Sequence, residues 1–116
     1  MDSKDLGQEG ERLAKDYLLK NQYKILEENW LYKHKEIDII ALMDNFICIV
    51  EVKTRSSNYI PPKEAVTRKK QANLIFAANQ YVLEKNLDYD VRFDVIEIIL
   101  NKKGMKLNHI VDAFVP

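Results

Sequence analysis

The chain has 116 residues, 47% hydrophobic and 31% charged, which suits one soluble globular domain spanning residues 1–116 and burying a single core. Its 18 Lys and Arg balance 18 Asp and Glu, so the formal net charge is zero and any attraction to polyanions has to come from local patches. One cysteine excludes an intramolecular disulfide framework, and His34 and His109 lie too far apart in sequence to form a Cys/His zinc spacing.

No stretch approaches the about 20 apolar residues that span a bilayer, and the amino terminus MDSKDLGQEGER carries no apolar signal region. A cytoplasmic protein with no membrane partner is expected. Neither a GxxxxGK phosphate loop nor a GxSxG nucleophile elbow is present.

In chain order, the spacing predicts a first helix from Leu6 to Asn21, with Leu6, Gly10, Leu13, Ala14, Tyr17 and Leu18 on its apolar face. YKILEENW, Tyr23 to Trp30, reads as a first strand with imperfect alternation. Two further strands, Glu36–Met43 and Phe46–Thr54, flank Asp44-Asn45, a pair suited to a tight hairpin turn. Cys48 sits mid-strand among aliphatic residues and reads as core. RSSNYIPP is a loop, after which Thr67 can cap a helix running to about Lys85 with Leu74, Ile75, Ala78, Tyr81 and Val82 buried. Val91–Leu100 is a strand, Asn101 to Gly104 a turn, and MKLNHIVDAFV a last strand. The order predicts an α/β fold: helix, three-stranded meander, helix, two strands, with a mixed central sheet flanked by helices.

The hairpin carries four charges in an otherwise apolar run. With Asp44-Asn45 as a two-residue loop, Met43 pairs with Phe46, and counting back sets Asp38 opposite Glu51 and Glu36 opposite Lys53. Side chains two apart share a strand face, so all four would converge at one end of one face, while Ile37, Ile39, Ala41, Cys48, Val50 and Val52 line the other as continuous core. Directly opposed carboxylates destabilise a strand pair, by up to about 1 kcal/mol at the surface and several when partly buried. A divalent cation between Asp38 and Glu51 would remove that repulsion, and Lys53 would then face the same ion. The plainer reading is a surface Glu36–Lys53 ion pair beside solvated strand ends.

From Lys53 to Lys70 there are six bases (Lys53, Arg55, Lys63, Arg68, Lys69, Lys70) against the single acid Glu64, which suits either phosphate contacts or a solvated loop and helix start. Arg68, Lys69 and Lys70 open a helix, where cations are opposed by the macrodipole unless phosphates dock there. Gln71 reads as surface or as a reach toward the site, and Arg92 and Asp94 as a same-face ion pair; Trp30 and Tyr59 could stack on bases, with core packing the better reading of Trp30 and Tyr59 in the basic loop open between the two.

Ile37-Asp38, twelve intervening residues and Glu51-Val52-Lys53 resemble the PD-(D/E)XK nuclease signature, with Ile37 where a proline is usual. GQEGERLAKDYL, ILEENW, EIDIIA, VEVKTRSS, EAVTRKKQ and RFDVIEI together resemble the YraN-like family of small bacterial proteins, which is similar to archaeal Holliday-junction resolvases. Lys35 replaces the usual glycine of that family's GEID segment.

The resemblance implies a restriction-endonuclease-like core. It also implies a metal-dependent DNA endonuclease, with Mg²⁺ or Mn²⁺ held by Asp38, Glu51 and the backbone carbonyl of Val52. Lys53 would be the catalytic lysine, Glu11 a helix glutamate brought to the metal site, and Glu36 a further acid beside it. Branched DNA is the substrate it suggests, and cutting a junction at two sites would require a homodimer. Arg55, Tyr59, Lys63, Arg68, Lys69 and Lys70 would hold the nucleic acid. For Glu11 the residues alone leave a solvated helix glutamate equally open. The competing function is a non-catalytic nucleic-acid-binding or protein-interaction module.

Overall fold

In the computed structural model, which describes residues 2–57 and 66–116, the order is α1 (Ser3–Lys20), β1 (Lys24–Tyr32), β2 (Lys35–Met43), β3 (Phe46–Arg55), α2 (Arg68–Lys85), β4 (Asp90–Asn101) and β5 (Gly104–Phe114). Every expected element is present. α1 starts three residues before the predicted Leu6 because the Asp2 side chain accepts from the Asp5 N–H at 2.8 Å and caps the helix. Thr67 caps α2 as its sequence suggests, accepting from the Lys70 N–H at 3.1 Å, and Asn86 ends that helix in the left-handed conformation at φ 52°.

The five strands lie in the order β1-β2-β3-β4-β5. Neighbours are antiparallel except β3 and β4, which run parallel because α2 carries the chain back across the sheet. β3 is therefore central and covered on both faces, and residues Ile47 to Glu51 are all buried. Alternate β3 side chains serve different cores. Ile47 and Ile49 join Leu74, Ala77, Ala78 and Tyr81 of α2, whereas Cys48 and Val50 join Ala14 and Leu18 of α1. The sheet is thus sandwiched between its two helices.

The α2 stripe is shifted slightly from the expected one: Ala77 is buried and Ile75 only partly so. At Gly10 the backbone of α1 lies tight against β3. A Cβ placed there would lie 1.7 Å from Thr54 Oγ1, so only glycine lets the helix approach β3 this closely.

Candidate functional site

The β2–β3 hairpin has the expected register, from Met43 opposite Phe46 to Ile39 opposite Val50. It stops one pair short of Asp38 and Glu51. There the strands part, and the Val52 N–H donates to Asp38 Oδ2 at 2.8 Å, so a carboxylate replaces a backbone acceptor.

The expected single face does not persist to this end. Ile37 packs in the α2-side core while Ile39 and Ala41, which should share its face, pack on the α1 side. The cause lies in β1. Asn29 takes a left-handed φ of 49°, and the β1–β2 ladder runs from Glu28–Ile39 to Trp30–Ile37, passing over Asn29 and Asp38. A left-handed residue breaks the pleat locally.

Asp38 and Glu51 nonetheless meet. Their carboxyls are within hydrogen-bonding reach of one another, and Asp38 is pushed up to about 8 by burial, by that hydrogen bond and by the charge of Glu51. Glu51 is only 3% exposed. Its Oε2 is buried without a well-aligned donor, although Lys70 Nζ from the first turn of α2 approaches it at 3.2 Å as an ion pair. The expected carboxylate convergence is present, and it is strongly uphill for two ionised groups.

Asp38 also lines a cleft of about 230 Å³ beneath α1 together with Gln8, Glu11, Glu28 and Asn29. Asn29 Nδ2 donates to Glu11 Oε1 at 2.7 Å and to Glu36 Oε1 at 2.9 Å, bridging the two acids. Burial raises the pKa of Glu11; the bond from Asn29 opposes this, and the charges of Asp38, Glu36 and Glu28 add to it. Glu11 thus faces the acidic site from α1. It does not complete a metal cage, since among the described residues no group of three or more His, Cys, Asp or Glu stands close enough to hold an ion.

The expected Glu36–Lys53 cross-strand pair is a correction. Beyond Ile39 and Val50 the strands have separated, Glu36 is exposed and bonded to Asn29, and no ion pair joins it to Lys53 among the described residues. Lys53 lies two residues past Glu51 on β3, half-buried and opposite Glu97 of β4.

Of the basic residues, Arg55 ends β3, Arg68 and Lys69 are exposed at the start of α2, and Lys70 is turned to Glu51. Tyr59 and Lys63 lie outside the described residues. Gln71 does not reach the carboxylates; it donates to the Val66 carbonyl at 3.3 Å.

Two features escaped the sequence reading. Asn29 was legible in part, because an asparagine inside a strand pattern is out of character for a ladder residue. The other is a buried polar network. Arg92 pairs with Asp94 as the strand face suggests, at 2.9 and 2.8 Å, and Asp94 also accepts from His109 Nε2 at 2.8 Å and from the Asp112 N–H at 3.0 Å. Tyr17 of α1 bonds His109 Nδ1 at 2.8 Å, and Arg92 donates to the Tyr23 hydroxyl at 2.7 Å. Burial would raise the pKa of Asp94, but these donors outweigh it and hold the carboxyl low. Every oxygen is satisfied, so the network fastens α1 to β4 and β5.

Fold and site together define a small mixed α/β protein whose central hairpin opens at one end around a buried pair of carboxylates. The family model described as "Uncharacterised protein family UPF0102" matches residues 10–98. UPF0102 proteins of Christiangramia forsetii and Parabacteroides distasonis are 48% and 43% identical, each over 95% of this chain and 93% and 92% of their own length. One from Clostridium botulinum is 47% identical over 97% of this chain and 95% of its own. The chain belongs to this YraN-like family. Among the described residues, no helix is long and apolar enough to cross a membrane.

Proposed function

We propose that the protein is a metal-dependent endonuclease-like hydrolase, built on a restriction-endonuclease-like core and acting on the phosphodiester backbone of DNA, including branched DNA. One observation carries the reading: Asp38 and Glu51 are pressed together in a buried site where Glu51 Oε2 lacks a hydrogen bond. Two carboxylates held this way suit a divalent cation in place of a shared proton. The donor set of Asp38, Glu51 and the Val52 carbonyl is all oxygen, the kind Mg²⁺ or Mn²⁺ prefers when water and phosphate complete the shell.

When bound, the cation would polarise the phosphate and acidify a water. Lys53, on the same strand as Glu51, orients or deprotonates the water that attacks phosphorus and stabilises charge building on the phosphate oxygens. Glu11, held by Asn29, receives hydrogen bonds at the α1 side of the cleft. Lys70 exchanges Glu51 for a backbone phosphate as substrate arrives, and Arg68, Lys69, Arg55, Lys63 and Tyr59 hold the flanking strand. A homodimer would place two such sites on one junction.

The Lys70–Glu51 ion pair favours a second reading. It already supplies a cation to the site, which suits a non-catalytic nucleic-acid-binding module or a protein-interaction module. Labelled four-way, flap and linear DNA incubated with Mg²⁺ or Mn²⁺ separates the two. Cutting that is metal-dependent and lost in Asp38→Asn and Lys53→Ala is expected; binding without cutting by all three proteins overturns the hydrolase.

A further inference from the structure

Around the β1–β2 turn lies a group of rings and lysines whose side chains make no hydrogen bond or ion pair among the described residues. Trp30 and Tyr32 stack on one face of β1, 6.1 Å apart with their planes 5° from parallel. Phe76 of α2 joins Tyr32 at 5.9 Å and is 41% exposed, off the buried stripe of Leu74, Ala77 and Ala78. Lys35 Nζ lies 5.1 Å from the Phe76 ring centre and Lys33 Nζ 5.5 Å from that of Tyr32. The turn that sets these lysines, Lys33-His34, has both residues at positive φ, 47° and 67°.

This platform adjoins the carboxylate site along two elements. Lys35 is three residues before Asp38 on β2, about 10 Å along the strand. Phe76 is six residues after Lys70 on α2, about 9 Å along the helix. Flat apolar rings with cations poised over their faces are complementary to a nucleobase and its phosphate once the cations turn aside to the phosphate. A base inside a duplex has both faces covered by its neighbours, so only an unpaired nucleotide can use such a surface.

We infer that Tyr32 and Phe76, flanked by Lys33 and Lys35, stack an unpaired base of the nucleic acid bound at the carboxylate site, so that the substrate class is a strand with unpaired nucleotides beside the phosphate held there. This rests on the phosphodiester reading of Asp38 and Glu51 and specifies its substrate. As the base enters, Lys33 and Lys35 leave the ring faces for its phosphates.

The test uses oligonucleotides of one sequence as single strand, duplex and flapped duplex, with binding followed by anisotropy without divalent metal and by the fluorescence of Trp30, the chain's single tryptophan. Single strand and flap are expected to bind more tightly than duplex and to quench Trp30. Phe76→Ala should weaken single-strand binding about tenfold while leaving duplex binding and the thermal midpoint unchanged, with Phe76→Tyr retaining affinity; Tyr32→Ala should weaken single-strand binding similarly, with a lower midpoint from the lost contacts to Trp30 and Phe76. Equal affinity for single strand and duplex, or no effect of Phe76→Ala, overturns the inference. If duplex is then still cut with Mg²⁺, the hydrolase reading stands alone; if no nucleic acid binds in any form, both fall.

Discussion

Asp38 shows how one residue ties the site to stability. Its pKa is pushed up to about 8 in the folded chain by burial and by Glu51, whereas unfolding returns it to the ordinary carboxylate value of 3.8. Between those values the folded state holds a proton that the unfolded state has released, so stability falls as pH rises through that window. The slope can reach about 1.4 kcal/mol per pH unit. Thermal melts without divalent metal should therefore show a midpoint that drops as pH climbs from about 5 to about 8, and Asp38→Asn should flatten the curve. Removing metal with a chelator should lower the wild-type midpoint near pH 8 and leave it unchanged near pH 5, because a cation competes with the shared proton. Asp94 is the opposite kind of buried acid, with its donors in place and its pKa lowered, and its contribution is lost only as pH falls below the carboxylate range. Asp94→Ala strands Arg92 and His109 in the interior, and urea unfolding should show a loss of about 3–5 kcal/mol.

At the scale of elements, Gly10 governs how α1 sits on β3. With Thr54 Oγ1 1.7 Å from where a Cβ would be, Gly10→Ala forces the helix outward and should cost about 1–3 kcal/mol by denaturant titration. Thr54→Gly should recover part of that loss, because the crowding atoms belong to Thr54. The same shift would carry Glu11 away from Asp38, since the two acids face one cleft. Much of this arrangement was legible in the chain itself. Asp44-Asn45 determines the register of the β2–β3 hairpin, and Thr67 and the apolar spacings mark the helices, because turns and periodicity are local properties. The departures came from contacts between strands distant in sequence. Nothing near Ile37 announces that Asn29, eight residues earlier, turns left-handed and sends Ile37 to the α2 side. The pairings of Lys70 with Glu51 and of His109 with Asp94 join residues 19 and 15 positions apart, and no spacing rule links them. The Glu36–Lys53 pair failed for a related reason: register arithmetic assumes a ladder that continues, and this one opens where the charges begin.

The molecule as a whole has two apolar clusters but one scaffold. The α1-side cluster around Leu18 and the α2-side cluster around Leu74 share no side chain, yet both are built on β2, β3 and β4, with successive residues of β3 pointing into one and then the other. Losing either helix would expose one face of a sheet whose central strand carries the buried Glu51, so neither half can keep its strands in place alone. Unfolding should therefore be cooperative, with no species that retains one helix packed and the other detached. Leu18→Ala and Leu74→Ala, each at a residue no more than 2% exposed, test this from opposite faces. Each should lower stability by about 2–5 kcal/mol. The urea dependence of the unfolding free energy should match the wild type in both, since the same total surface is exposed when everything unfolds together. Far-ultraviolet circular dichroism and Trp30 fluorescence, which report on the helices and on the α2 side of the sheet, should give coincident transitions in both variants. A Leu18→Ala protein that lost helix signal before Trp30 responded would show instead that α1 is a separable layer.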